Sequence, residues 1–131
     1  MSGGGAAVVR TIIVDDQEPF LAAAGAVVDR TPGFEVVGRA TDGHAALALV
    51  DELSPDLVVM DVRMPGLDGI GAAQEMARRP HAPIVILVSS HARADLPAEL
   101  ERTGATYLHK EELLPARLTE VWERHGRTLG A

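Results

Sequence analysis

The chain has 131 residues, 47% of them hydrophobic, and carries a formal net charge of -7 from 12 basic and 19 acidic side chains. That is the length of one ordinary domain with apolar content for a packed core, and its negative excess opposes nonspecific attraction to nucleic acid or an anionic membrane. There is no cysteine, which excludes disulfides, a thiol nucleophile and thiolate-bound zinc, and leans toward a cytoplasmic setting.

Residues 1–7 lack the charged start and long apolar centre of a secretory signal and read as a flexible leader. No apolar stretch approaches the roughly 20 residues that span a bilayer. The first strand is expected at about residues 10–14 (Thr11-Ile12-Ile13-Val14) and ends abruptly in Asp15-Asp16. Phe20, Leu21, Ala24, Val27 and Val28 then fall on one face of a helix. Thr31-Pro32-Gly33 ends it, and a second strand is expected at about 34–38. Ala46, Leu49, Val50 and Leu53 form the next helical face, closed by Ser54-Pro55-Asp56. The third strand, about 56–60, runs Leu57-Val58-Val59-Met60 into a second carboxylate, Asp61.

A further helix closes at Arg79-Pro80, and the fourth strand, about 84–88, is followed by Ser89. Pro97 stands where a fourth helix would run and predicts a short helix starting near it. The fifth strand is expected at about 105–108 with Lys110 at its end, and Leu114, Leu118, Val121 and Trp122 give the last helical face. Strands alternating with helices imply parallel pairing with right-handed crossovers, and consecutive apolar positions in strands 3 and 4 imply cover on both faces. The fold expected is a doubly wound α/β sandwich. In such sheets ligands bind outside the carboxyl ends of the strands, where Asp15, Asp16 and Asp61 would converge. Crowded carboxylates repel one another unless a cation relieves them.

The segment Asp61-Val62-Arg63-Met64-Pro65-Gly66-Leu67-Asp68-Gly69 resembles that of a two-component response-regulator receiver domain. The resemblance spans nearly all of residues 8–125, leaving 126–131 as a tail. Five elements agree in order: the acidic pair, the Asp61 segment, a hydroxyl after strand 4, an aromatic in strand 5 and a lysine at its end. It implies a five-stranded parallel sheet of order 2-1-3-4-5 with helices on both faces. It implies Asp61 as phosphoacceptor, attacking the phosphorus of a phosphohistidine. Asp16 would contact Mg2+ (or Mn2+) directly and Asp15 more indirectly, with Asp61 and the backbone carbonyl of Arg63 completing a set of hard oxygen ligands. Lys110 and Ser89 would meet the phosphoryl oxygens, with Ser90 the alternative hydroxyl, and Tyr107 would be the switch aromatic. Arg63 and His91, each two residues beyond a site residue, would tune the lifetime of the phosphorylated state.

Around the site, Pro65 forces Met64 extended, Gly66 and Gly69 are expected to permit positive φ, and Asp68 to cap the following helix. Three departures from the family pattern stand out. Glu111 replaces the common proline after the lysine, so no cis peptide is expected there. Gly104-Ala105-Thr106-Tyr107 is one residue short of the usual approach to strand 5, which would shift Tyr107 relative to its pocket. Pro97 shortens the helix of the usual output surface. His44, His81, His91, His109 and His125 show no metal-site spacing and read as surface or loop residues.

The resemblance implies a sensor histidine kinase or phosphotransfer protein as donor. Phosphorylation would change the face of helix 4, strand 5 and helix 5, which binds a partner or forms a homodimer. The chain would catalyse only its own phosphorylation and dephosphorylation. With only Gly126–Ala131 beyond the last helix, it is expected to be a stand-alone receiver or one cut from a longer regulator with a DNA-binding output; no DNA-reading element or membrane segment lies in the chain itself. Two other readings remain: a phosphorylation-independent interaction module, and an aspartyl-phosphate phosphohydrolase, against which Arg63 stands where dehalogenase-like phosphatases carry a second Asp.

Overall fold

The β-branched and aliphatic runs form five parallel strands: β1 (Val9–Val14), β2 (Phe34–Ala40), β3 (Leu57–Asp61), β4 (Ile84–Ser89) and β5 (Thr106–His109). They are ordered β2-β1-β3-β4-β5 in one sheet. The helices are α1 (Glu18–Asp29), α2 (Gly43–Leu53), α3 (Gly69–Met76) and α4 (Pro115–Arg124). This computed structural model describes residues 8–125; the expected leader at 1–7 and tail at 126–131 lie outside the described residues.

Because successive strand residues point to opposite faces, the continuous apolar strands feed two cores. Ile13, Val59, Ile86 and Val88 pack with Leu21, Val28, Leu118 and Trp122 under α1 and α4. Ile12, Val14, Val58, Met60 and Leu87 pack with Val50, Ile70, Ala73 and Met76 under α2 and α3. The expected doubly wound sandwich and its strand order are therefore observed.

The short helix expected near Pro97 is present, wound as 3-10 rather than α. Its segment forms two short 3-10 pieces, Arg93–Asp95 and Ala98–Thr103, so the helix expected as the fifth is α4. Pro97 has no N–H to offer a continuing helix and holds Leu96 extended. Gly104, at φ 77°, stops the chain again and leaves six residues between Pro97 and itself, too few to sustain a stable α-helix. The tighter winding still buries Leu96 and Leu100 in the second core. Leu114 departs from expectation. It precedes Pro115 in extended backbone as the cap of α4 and is 56% exposed, while Leu113 takes the buried place.

Candidate functional site

Two neighbouring strands bring the acids together. The register pairs Val14 with Met60, so Asp15 and Asp61, one residue on in each chain, emerge side by side. Asp15, Asp16 and Asp61 each offer a carboxylate oxygen within 4.8 Å of the others. Asp15 is fully buried. Its Oδ1 accepts the Gln17 backbone N–H at 2.7 Å, which ties the acid to the cap of α1. Its Oδ2 has no hydrogen-bond donor in good geometry, but the Lys110 ammonium lies 2.8 Å away as an ionic partner.

Lys110 stands directly after β5 and opens a 3-10 turn. From there it reaches the acids, with Nζ 3.8 Å from Asp61 Oδ1 and 4.3 Å from the centroid of the Phe20 ring. It is therefore nearer to Asp15 than to Asp61. Asp61 is 7% exposed, and its carboxyl is pushed up to about 6. Burial is the main cause and the Asp15 charge adds to it, while Lys110 and the Arg63 backbone N–H partly oppose the rise.

Ser89 is the last residue of β4 rather than the first beyond it, and is 2% exposed. Its Oγ accepts the His91 backbone N–H at 3.0 Å and lies 3.3 Å from His91 Nδ1. Ser90 is exposed. Two side chains from β5 hold this loop. The Tyr107 hydroxyl donates to the His91 carbonyl, and its titration is raised by partial burial and then by Glu112, against Arg93. His109 Nε2 lies 3.0 Å from the Ser90 carbonyl, while its Nδ1 accepts the Glu111 backbone N–H at 3.1 Å. One nitrogen must accept and the other faces an acceptor, so the neutral Nε2–H tautomer satisfies both.

The Asp61–Gly69 turn is fixed by close approach. Gly66 has φ 75°, and Asp68 Oδ1 accepts the Gly71 N–H at 2.9 Å to cap α3, both as expected. Gly69 does not use positive φ. It is needed because a Cβ there would stand 2.1 Å from the Asp61 carbonyl oxygen. Gly69→Ala should therefore displace the turn and cost about 2 kcal/mol, measurable as a lowered denaturant midpoint with an unchanged slope.

The site residues proposed from sequence lie at or just beyond the carboxyl ends of the strands except Tyr107, which is inside β5 beside Leu87; Arg63 is exposed and donates weakly, at 3.4 Å, to the Asp95 carbonyl. Two contacts escaped the sequence reading: the Phe20 ring against Lys110, and the ties made by His109. His109 followed three residues later by Glu112 forms a capping box, a pattern visible in the sequence had histidine been admitted as a cap. Nothing in the sequence marks Phe20 as more than a core residue.

All three carboxylates are hard oxygen donors, one carries a buried oxygen without a hydrogen bond, and the cluster repels itself; these features suit a small divalent cation such as Mg2+.

Comparison with known proteins places this arrangement. Residues 11–121 match the model of the response regulator receiver domain. The chain is 41% identical over 116 residues to the transcriptional regulatory protein PdtaR of Mycobacterium tuberculosis, covering 85% of this chain and 56% of that protein. It is 35% identical over 103 residues to the transcriptional regulatory protein LiaR of Bacillus subtilis, covering 78% and 49%. The chain thus spans about half the length of these curated relatives. Among solved structures, the signal receiver domain of the putative response regulator NarL from Mycobacterium tuberculosis superposes with a TM-score of 0.79 at 30% identity, over 92% of this chain and 99% of that one. The response regulator domain of Thermotoga maritima CheB gives 0.79 at 28%, over 92% and 98%. Receiver domains bind Mg2+ through acidic residues and meet histidine kinases or phosphotransfer proteins. By fold, matched length and identity, this chain belongs to the response-regulator receiver family of two-component signalling, whose general function is to be phosphorylated on an aspartate.

Proposed function

We propose that Asp61 is the phosphoacceptor of this receiver. The observation that carries the reading is the convergence of Asp15, Asp16 and Asp61 around one point, with the Lys110 ammonium 2.8 Å from Asp15 and 3.8 Å from Asp61. A carboxylate oxygen of Asp61 attacks phosphorus on a phosphohistidine donor. The Oδ–P bond forms as the N–P bond breaks, and the leaving imidazole takes up a proton from water. Asp15, Asp16, Asp61 and the Arg63 backbone carbonyl would hold Mg2+, which when bound neutralises charge on the transferring group.

Lys110, with a compact charge on a flexible stem, swings to the phosphoryl oxygens. Ser89 then exchanges its contact with His91 for a hydrogen bond to phosphate. That exchange releases one side of the 89–91 loop, which the Tyr107 hydroxyl and His109 hold from the other, so Tyr107 and β5 receive the change. Arg63 and His91 border the phosphoryl group and set its lifetime.

The donor is a sensor histidine kinase or phosphotransfer protein in the cytoplasm. The downstream partner is a protein or a DNA-binding output domain, as relatives named transcriptional regulators suggest, or a second copy through the face of the 3-10 segment, β5 and α4. The chain acts as no enzyme beyond its own phosphorylation and dephosphorylation. Among the described residues no helix is long and apolar enough to cross a membrane.

Incubation with a small acyl phosphate should label the chain once, only with Mg2+ present, and peptide mapping should place the label at Asp61. Labelling elsewhere, or at an equal rate in Asp61→Asn, would overturn the assignment.

A further inference from the structure

Lys110 has a third partner besides its two acids. The Phe20 ring centroid lies 4.3 Å from Nζ, inside the roughly 6 Å within which a cation is drawn to an aromatic face. We propose that Phe20 is a positioning residue for phosphoryl transfer, holding the Lys110 ammonium over the acid cluster; the proposal rests on the reading of Asp61 as phosphoacceptor.

The ring and the first acid are placed by the same turn of chain. Asp15 Oδ1 fixes the Gln17 N–H, and the Gln17 carbonyl accepts the backbone N–H of Phe20 at 3.1 Å and of Leu21 at 3.2 Å. The acid that pairs with Lys110 and the ring that faces it therefore reach the site as one rigid unit at the start of α1. Phe20 is half-buried against the core under α1 and α4, so its orientation is set by packing.

A lysine needs such a holder. Its four-carbon stem is flexible and its head strongly hydrated. Lys110 remains 18% exposed at the side chain and lies outside the strand ladder. The Asp61 carboxylate holds it only in the unphosphorylated arrangement. Phosphorylation would turn Asp61 into a group of close to two negative charges, and Nζ must shift to meet it. The attraction of the ring is broad and does not depend on the charge of Asp61. Phe20 therefore keeps the ammonium near the site through the exchange of partners and covers one side of it from water.

The test uses the whole 131-residue chain with Phe20→Leu, which keeps apolar bulk, and Phe20→Tyr, which keeps the aromatic face. The first readout is the NMR shift of the Lys110 methylene protons beside Nζ in metal-free protein. Ring current should move them upfield in the wild type and in Phe20→Tyr, and Phe20→Leu should return them to the ordinary lysine position. The second is the rate of Mg2+-dependent phosphorylation by a small acyl phosphate. Phe20→Leu should slow it about 3- to 10-fold, with Phe20→Tyr within about twofold of wild type.

Wild-type rate and shift in Phe20→Leu would overturn the proposal. So would an equal slowing in both variants, which would reduce Phe20 to packing. If the wild type accepts no phosphoryl group at all, the reading of Asp61 falls first and takes this role with it. A labelled wild type matched by Phe20→Leu sinks the positioning role alone.

Discussion

Asp61→Asn should abolish phosphorylation and at the same time make the metal-free protein more stable at pH 7, by about 2 kcal/mol. The sign follows from the raised titration of Asp61, from an ordinary 3.8 to about 6. Below pH 4 the carboxyl is protonated in both folded and unfolded chains and burial carries no charge penalty. Between about pH 4 and 6 the folded chain retains a proton that the unfolded chain releases, so stability falls as pH rises. Above that window the full penalty remains. Asparagine has the same shape without the charge, and relieves Asp15 of a like-charged neighbour.

Thermal unfolding of Asp61→Asn in chelator at pH 7 should lie roughly 5 to 10 °C above wild type, and the two should converge toward pH 4. A variant less stable than wild type at pH 7, with the gap unchanged by acid, would show that Asp61 ionisation does not strain the site. Added Mg2+ should raise the wild type more than the variant, because a ligand stabilises the form that binds it.

Lys110→Met should have the opposite effect on stability. Asp15 is fully buried, and its Oδ2 has Lys110 as its ionic partner. Removing one member of a buried pair leaves the other charge without compensation. Methionine keeps most of the apolar stem, so the loss belongs to the charge. We expect a destabilisation of about 2 to 3 kcal/mol at pH 7 in chelator, below the range for a wholly dry pair because Lys110 is partly exposed.

Phosphorylation by a small donor should fall on the order of a hundredfold, the usual effect of deleting a group that meets developing charge. Combining Lys110→Met with Asp61→Asn should recover part of the lost stability, since the double variant has one fewer buried charge. Asp61→Asn should stabilise the Lys110→Met protein by more than it stabilises the wild type, because Asp61 has there lost the cation that partly offsets its burial; an equal gain in both backgrounds would mean that the two side chains do not interact. Equilibrium urea unfolding of the four proteins closes this cycle.

The strands and the acid cluster were legible because each rests on a local signal that tertiary structure did not contradict. An apolar run followed by a carboxylate fixes both the strand and the residue that leaves it, and parallel order then places Asp15 beside Asp61 without further information. Asp68 was legible for the same reason, since a cap acts within a few residues. What the sequence hid depends on distances between remote segments. Gly69 looked like a residue chosen for its φ, but it makes room for the Asp61 carbonyl eight residues back.

His109 looked like a loop histidine, yet both ring nitrogens are engaged, one of them on a carbonyl 19 residues away. The fourth helix was legible as a short one starting near Pro97, but its 3-10 winding was not. Pro97 and Gly104 leave only six residues between them, so the chain wound more tightly. Leu114 matched the helical spacing but belonged to the extended residue that Pro115 enforces before the helix.

Whether Asp61 accepts a phosphoryl group in a site completed by a divalent cation can be read by titrating the wild type and Asp61→Asn with beryllofluoride and Mg2+ while following backbone amide NMR shifts. Metal-dependent shifts are expected in the wild type at Asp16, Asp61 and Ser89, extending through the 89–91 loop to Tyr107 and Lys110, and none of these in Asp61→Asn. An equal response in both proteins, or none in either, would contradict that acceptor role and leave a receiver that works as a binding module without phosphorylation.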